Sequence, residues 1–433
     1  MSRLLNRSRV MLRGTQGGLP GDVYAMCGVA FCVALGFGVV APAIPLFASE
    51  FGMDATAAGA VVSAFAFMRF ISGLGAGRLV DWMGERSSLV LGLVVVAVSS
   101  LVAGLSQSYT QLLVLRGVGG VGSAVFGVAS ISIVLHVASQ QVRGRAMSVY
   151  RSGFLLGGIV GPGLGGAALG ISLRAPFFLY AGTLALASAV ALGFLGRKRA
   201  APGPETEAPR IDGPVEGVDT GTAAAPTVES PSVASEPGLR EVLRTVEYQA
   251  ALVTNLAVGL AVFGLRSALV PLLFVQALHT TNSWVAWAFL VSALVQTALM
   301  LPAGRWSDTA GRRPALLTGA FVSAAGLAML AIGGTVWLAM LAMAVFGAGS
   351  AFLGSAPAAL VGDVAGRRSG TVVAVFNMAS DLGAVVGPVL AGFLVDHGSF
   401  AAAFGLGAVV VALAGLLGLR LPTGPAASTA AAG

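Results

Sequence analysis

Long apolar runs alternate with short polar gaps along most of the chain. A helix needs about 20 apolar residues to cross a bilayer, and helices satisfy their own backbone where no water is present. The pattern predicts an all-α integral membrane protein with twelve transmembrane helices. These cover 24–48, 56–78, 88–106, 110–137, 145–170, 176–196, 249–276, 284–304, 314–333, 336–361, 369–395 and 400–420.

One long polar segment, 200–238, divides the helices into two sets of six. It is rich in Pro, Ala and acidic residues and has no apolar periodicity, so we expect a disordered linker. A short amphipathic stretch, 239–248, follows it. The predicted organisation is an N-terminal tail, a six-helix bundle, the linker with its amphipathic stretch, a second six-helix bundle and a C-terminal tail. Their bounds are 1–23, 24–199, 200–248, 249–420 and 421–433.

Composition and charge agree with a membrane location. The chain is 56% hydrophobic and 10% charged, whereas soluble domains carry about 25% charged residues. Its net charge of +7 does not predict a nucleic-acid partner, because the basic residues are spread over the short gaps between apolar runs. If the N-terminus is cytoplasmic, 20 Lys and Arg residues lie on the cytoplasmic side and only Arg174 lies outside. This bias predicts a multi-pass protein of a bacterial inner membrane with both termini cytoplasmic.

Three sequence features recur in the same order about half a chain apart. "GRLVDWMGER" (77–86) returns as "GRWSDTAGRR" (304–313), and "GGIVGPGLGG" (157–166) returns as "GAVVGPVLAG" (383–392). "GGVGS" (119–123) matches "FGAGS" (346–350) at a spacing of 227 residues. The repetition predicts two bundles related by a pseudo-twofold axis along the membrane normal, an architecture of secondary transporters.

These segments resemble signatures of the major facilitator superfamily, specifically of its twelve-helix drug:proton antiporter branch. The signature of that family between its second and third helices, G-x-L-a-D-x-x-G-R-[RK], is similar to the two decapeptides, with Glu85 at a position where the pattern prefers a basic residue. The matching residues are Gly77, Asp81, Gly84 and Arg86, and Gly304, Asp308, Gly311, Arg312 and Arg313. The fifth-helix signature of the antiporters, G-x-x-x-G-P-x-x-G-G, is matched by Gly157, Gly161, Pro162, Gly165 and Gly166.

The resemblance implies a secondary transporter that uses a proton gradient and no cofactor, and we expect it to act as a monomer in the bilayer. The sequence holds no G-x-x-x-x-G-K-[ST] motif, so ATP is not the expected energy source. Neither a metal-ligand spacing nor a nucleophile–base set is visible, so an enzyme is not expected.

The repeated decapeptide also has a physical reading of its own. Asp81 and Asp308 are predicted just past the cytoplasmic ends of two spans, where a carboxylate can reach the positive N-terminal end of a neighbouring helix. Arg86, Arg312 and Arg313 can form ion pairs with it. We interpret the two copies as a conformational latch that holds in one arrangement of the halves and breaks in another. Alternatively, the arginines act only as topology signals.

Five charged residues fall inside the predicted spans, and these are Arg69, Arg116, Arg151, Arg266 and Asp381. Each costs about 2.5–3.5 kcal/mol at a helix centre, which favours a function over simple packing. The duplication does not repeat the charges, since Arg69 aligns with Gln296 and Arg151 with Asn377. We predict a substrate cavity lined by the four arginines, Asn377 and Gln296, with Trp287 as a further candidate.

Asp381 is the one acid predicted within the membrane. A lone carboxylate there must pair with an arginine or take up a proton, so we predict that Asp381 and Arg116 couple proton entry to opening of the cavity. A permanent Asp–Arg bridge between the halves is the alternative.

The excess of interior arginine favours a neutral-amphipathic substrate or one with a carboxylate or phosphate. The sequence therefore predicts proton-coupled export of small hydrophobic or weakly anionic molecules by alternating access. Two other functions stay open. One is a flippase for a lipid or lipid-linked glycan on the same fold, and the other is a non-transporting membrane scaffold or sensor.

Overall fold

The computed structural model describes residues 19–139, 142–194, 242–365 and 369–422. Within these residues, twelve helices are long and apolar enough to cross a membrane. We number them in chain order. They are α1 Gly21–Ser49, α2 Ala55–Met83, α3 Glu85–Gly104, α4 Tyr109–Val137, α5 Arg143–Ile171, α6 Ala175–Phe194, α7 Val246–Ala277, α8 Asn282–Thr309, α9 Arg312–Ile332, α10 Val336–Val364, α11 Val372–His397 and α12 Phe400–Arg420. The predicted all-α fold with twelve spans is confirmed.

Most of the predicted tails and of the linker, including 239–241 of the amphipathic stretch, lie outside the described residues. The described end of that stretch is not one continuous helix. Thr245 caps α7 by accepting a hydrogen bond from the backbone N–H of Tyr248, and the helix begins at Val246. The remaining domain bounds stay predictions.

The two sets of six helices pack in the same pairwise pattern. In the first set α1 packs against α5 and α6, α2 against α4, and α3 against α4 and α6. In the second set α7 packs against α11 and α12, α8 against α10, and α9 against α10 and α12. The sets, here called the halves, meet along two seams, which are α2 against α11 and α5 against α8. This equivalence is the predicted pseudo-twofold relation.

The two decapeptides are helical for longer than the sequence indicated. Asp81 and Asp308 were predicted just past the ends of their spans, and that placement is wrong. α2 continues to Met83 and α8 to Thr309, so both aspartates lie in a last helical turn. The turns follow at Gly84, with φ of 82°, and close to Gly311, with φ of 101°. These positive φ values favour glycine.

Two helices depart from regular α geometry. α7 is π-helical over Leu260–Leu269 and again over Leu273–Ala277, and α1 is interrupted at Ala41 and Pro42. π-helical turns occur frequently at functional sites, and the first of these stretches contains Arg266.

Candidate functional site

An ion pair joins the halves near the middle of the α2–α11 seam. The guanidinium Nη2 of Arg69 on α2 donates a hydrogen bond to Oδ1 of Asp381 on α11. Arg69 lies 14 residues after Ala55, and Asp381 lies 16 residues before His397, which places both about 20–25 Å from the same end of the molecule. The two side chains are 32% and 27% exposed, so neither is fully enclosed by the protein.

Beyond the ion pair, toward that same end, the seam is tightly closed. A Cβ built on Gly59 of α2 would lie 2.2 Å from the carbonyl oxygen of Pro388 on α11. A Cβ on Gly392 would lie 2.3 Å from the carbonyl oxygen of Ala55. On the α5–α8 seam, a Cβ on Gly166 would meet the Cβ of Ala286 at 2.1 Å. We call this end, where α2 and α8 begin, the sealed end.

The opposite end, where α2 and α8 finish, is less closely packed, and we call it the open end. Leu74 on α2 and its equivalent Leu301 on α8 are 73% and 75% exposed. A Cβ built on Gly73, Gly75 or Gly304 would have nothing within 4 Å. The Arg69–Asp381 pair therefore lies where the seam changes from closed to open.

Arg116 does not contact Asp381 in this conformation. The partner of Asp381 is Arg69, which we had assigned to the cavity, whereas Arg116 was the predicted coupling partner. Arg116 on α4 is only 3% exposed and lies over the ring of Phe65, 4.5 Å from its centroid. Its buried Nε atom has no hydrogen-bond partner among the described residues. An unpartnered buried guanidinium is costly, and a cation–π contact offsets part of that cost.

Arg266 has a similar environment in the other half. It lies on the first π-helical stretch of α7, with its guanidinium carbon 5.2 Å from the ring centroid of Phe289 on α8. Its Nε atom is also buried and lacks a partner within the described part of the chain. Each half thus holds one arginine between a helix and a phenylalanine ring, with hydrogen-bonding capacity left unused.

The remaining predicted cavity residues form no hydrogen bond with the ion pair in the part of the chain that the structure describes. Arg151 and Asn377 are exposed on the open-end parts of α5 and α11, and Gln296 is half-buried on α8. Trp287 is 57% exposed and lies five residues after the start of α8, much closer to the sealed end than Arg69. Among the predicted cavity residues that the structure describes, the hydrogen-bonded pair is Arg69 and Asp381.

In the second decapeptide copy, Arg312 binds two carboxylates at the open end. It donates to Asp308 at 2.5 Å and to Asp363 at the end of α10 at 3.1 Å, as well as to Ser307 at 3.2 Å. The neighbouring Arg313 reaches the carbonyl oxygen of Leu421 at 3.5 Å. These contacts stay within the second half and tie the ends of α8, α10 and α12 to the start of α9.

The first copy makes the equivalent contact with its charges reversed. Glu85 pairs with Nδ1 of His136 at the end of α4. Glu85 and His136 stand 227 residues before Arg312 and Asp363, respectively. The departure of Glu85 from the family pattern is therefore compensated by His136. Asp81, four residues before Glu85, is exposed and has no hydrogen-bond partner among the described residues, unlike Asp308.

The sequence analysis missed His136 and Asp363 as partners of the decapeptides. The internal alignment at a spacing of 227 residues contains the signal. It aligns Glu85 with Arg312 and His136 with Asp363, so an acid in one half corresponds to a base in the other. Arg86 was assigned to an ion pair but instead donates to the carbonyl oxygen of Leu192 near the end of α6, where a cation stabilises the negative helix terminus.

This reversal leads to a testable exchange of charges. Glu85→Arg alone places a second guanidinium beside Arg86 and removes the carboxylate that pairs with His136, and we expect it to lower the apparent unfolding temperature by a degree or two. The double variant Glu85→Arg/His136→Asp reproduces the arrangement of the second half and should restore it. Because the pair is exposed, its coupling energy should be about 0.2–1 kcal/mol. Thermal unfolding of the two single variants and the double variant in detergent measures this, and strict additivity of the three shifts contradicts the pairing.

The fifth-helix signature serves mainly to pack α5 against α1. Cβ atoms on Gly157, Gly161 and Gly165 would meet the carbonyl oxygens of Phe31, Leu35 and Val39 at 2.4–2.8 Å. Pro162 lies beside Gly38 of α1, and Gly166 faces the other half. Small residues allow such close backbone approach between membrane helices.

Comparison with known proteins agrees with this architecture. The family model of the Major Facilitator Superfamily matches residues 26–269 and 251–432. Solved transporters share the fold at low sequence identity. A bacterial homolog of the human lysosomal transporter Spinster, in an inward-facing and unoccupied conformation, has a TM-score of 0.65 at 14% identity over 93% of this chain and 96% of its own. The nucleoside transporter NupG has a TM-score of 0.67 at 12% identity over 93% of this chain and all of its own.

The fold is that of membrane transporters, and the class is not that of enzymes. With the family model covering nearly every described helix, the chain belongs to the Major Facilitator Superfamily. Among curated relatives, it is 33% identical to Multidrug resistance protein 2 of Bacillus subtilis over 38% of this chain and 41% of the relative. It is 29% identical to the quinolone resistance protein NorA of Staphylococcus aureus over 36% and 40%, respectively. The chain thus matches about two fifths of the length of these relatives.

Proposed function

We propose that this protein is a proton-driven exporter of small hydrophobic or weakly anionic molecules that works by alternating access. The observation that carries the proposal is the Arg69–Asp381 ion pair, where the closed part of the α2–α11 seam meets the open part. A protonated Asp381 no longer attracts Arg69, so proton uptake weakens a bond between the halves. Similarity to proteins named for multidrug and quinolone resistance supports export of drugs or of a self-made metabolite.

The charge bias of the sequence indicates which end of the protein faces the cytoplasm. If the basic segments lie in the cytoplasm, the open end faces the cytoplasm and the structure is inward-facing. We place the protein in the bacterial plasma membrane as a monomer with both termini cytoplasmic. The proton gradient supplies the energy in place of a cofactor.

Purified protein in liposomes with an imposed pH gradient tests this function. A growth-inhibition panel in a pump-deficient host first identifies substrates for the assay. Substrate-dependent proton flux, reported by a pH-sensitive dye inside the liposomes, supports the proposal. The absence of both proton flux in liposomes and resistance in the host contradicts the proposal and favours a scaffold or sensor.

A lipid flippase is the second candidate, because Arg116 and Arg266 each hold a buried Nε atom without a hydrogen-bond partner among the described residues, and such cations suit an anionic head group. Movement of a fluorescent anionic lipid that is insensitive to the pH gradient supports this candidate and contradicts the first.

A substitution at Arg266 tests the anionic component of the substrate. We expect Arg266→Gln to raise the apparent KM for a carboxylate-bearing substrate about tenfold, which corresponds to the roughly 1.5–3 kcal/mol of a hydrogen bond to a charged group. The methyl ester of the same compound should change less than about twofold, since it lacks the charge. Transport of both compounds by liposomes that carry the variant measures the difference, and equal effects on both contradict the assignment.

A further inference from the structure

The sealed end carries a second carboxylate contact between the halves, at the last turn of α11. Asp396 accepts hydrogen bonds from the backbone N–H groups of Ala55 at 3.0 Å and Thr56 at 2.8 Å. The hydroxyl of Thr56 donates a third hydrogen bond to it. Among pairs of described residues, the hydrogen bonds between the halves are these and the one from Arg69 to Asp381.

The contact completes the N-terminus of α2. The first N–H groups of a helix lack partners within the helix and carry a partial positive charge. Asp54 caps the helix from its own half by accepting from the N–H of Ala57 at 2.8 Å. The two N–H groups before it are satisfied by Asp396 from the other half. An ionised Asp396 is therefore required for the bonds to keep their strength.

The two seams differ at this point. On the α5–α8 seam, Gly170 occupies the position on α5 that corresponds to Asp396, 226 residues earlier. A Cβ on Gly170 would have nothing within 4 Å. The close contacts of that seam at the sealed end are the apolar ones of Gly166 with Ala286 and of Gly163 with Leu290. Hydrogen bonding at the sealed end is therefore a property of the α2–α11 seam.

Asp381 and Asp396 lie 15 residues, or about 22 Å, apart on the face of α11 that contacts α2. We propose that Asp396 is a closing residue of the alternating-access cycle, whose ionised carboxylate caps the N-terminus of α2 across the seam and so holds the sealed end shut. The inference rests on the proposed function for the transport cycle in which this end opens, but not for the role of the contact in closure.

Other titratable groups surround this end. His397 follows Asp396, stacks on Phe393 and lies with Nδ1 3.1 Å from the carbonyl oxygen of Phe393. Asp54 precedes α2, Glu50 follows α1, and Tyr109 at the start of α4 donates to the carbonyl oxygen of Ala57 at 3.1 Å. A cationic His397 attracts the carboxylate of Asp396, so it does not oppose closure of this end.

The test measures closure directly in the full-length protein. Cys27 and Cys32 are replaced by Ser, and spin labels are attached at Gln107 in the first half and Gln276 in the second, both exposed at the sealed end. Distance distributions are recorded in nanodiscs at pH 7.5 without substrate. Asp396→Asn, which mimics the protonated side chain, should raise the ratio of open to closed molecules at this end about tenfold or more, as expected for the loss of charged hydrogen bonds.

Asp54→Asn is the matched control, because Asn caps a helix as well as Asp and the Asp54 contact stays within one half. It should leave the distances unchanged. A distribution for Asp396→Asn equal to that of the unsubstituted protein overturns the proposal. If Asp396→Asn does not fold, Thr56→Val removes one of the three hydrogen bonds, and the same criterion applies to a smaller shift.

The distance measurements need no substrate, so their outcome does not depend on whether the protein exports anything. Absence of proton-coupled export in liposomes therefore contradicts the proposed function but not the role of Asp396 in closure.

Discussion

Asp381→Asn should abolish export driven by a pH gradient, with a loss of at least 100-fold. An amide neither takes up nor releases a proton at physiological pH, and it leaves Arg69 without the counter-charge that it has in this structure. Downhill movement of substrate, which needs no proton exchange, should persist. Flux measured in liposomes with and without an imposed gradient separates the two activities.

The double variant Arg69→Gln/Asp381→Asn distinguishes coupling from a purely structural bridge. It removes both charges, so no unpaired guanidinium is left in the seam. If the pair only joins the halves, the double variant should regain gradient-driven flux, and that result would contradict the coupling role. The expected result is that the double variant folds as well as the unsubstituted protein and still shows no gradient-driven flux. Asp22→Asn, in the first turn of α1, serves as a matched change from acid to amide away from the seam.

The second large effect is expected from a single methyl group on the α2–α11 seam. Gly59→Ala places a Cβ 2.2 Å from the carbonyl oxygen of Pro388, well inside van der Waals contact. Backbone atoms cannot move aside as a flexible side chain does, so α2 and α11 must separate at the sealed end. We expect the transport rate to fall more than about tenfold. A protein that cannot close its sealed end no longer populates the state that is shut at that end, and the proposed cycle requires this state.

Gly73→Ala is the control for this variant, since Gly73 lies on the same helix with nothing within 4 Å of an added Cβ. Both substitutions raise the intrinsic helix propensity by about 1 kcal/mol, so a difference between them reports contact across the seam. Transport assays and the distances between labels at Gln107 and Gln276 measure the effect. Transport by Gly59→Ala at the rate of Gly73→Ala would show that the halves do not close as tightly as the structure indicates.

The sequence was sufficient to predict the number of helices and their repetition, because both depend on local hydrophobicity and on spacing along the chain. It could not assign the partner of Asp381. Four arginines were available inside the predicted spans, and the choice of Arg69, 312 residues away, depends on which helices form a seam. Asp396 was missed for a related reason. It lies at a helix end, where an acid is not unusual, and two of its three hydrogen-bond donors are backbone N–H groups, which carry no sequence signal.

The reversed charges at the ends of α3 and α9 have a consequence for assembly. Two similar halves in one chain can exchange helices while the chain inserts into the membrane. A pair formed by α3 and α10 would set Glu85 against Asp363, and one formed by α9 and α4 would set Arg312 against His136. Both mismatches bring together two acids or two bases, whereas each native pair joins an acid to a base. The reversal thus favours the native α3–α4 and α9–α10 pairs over the crossed ones.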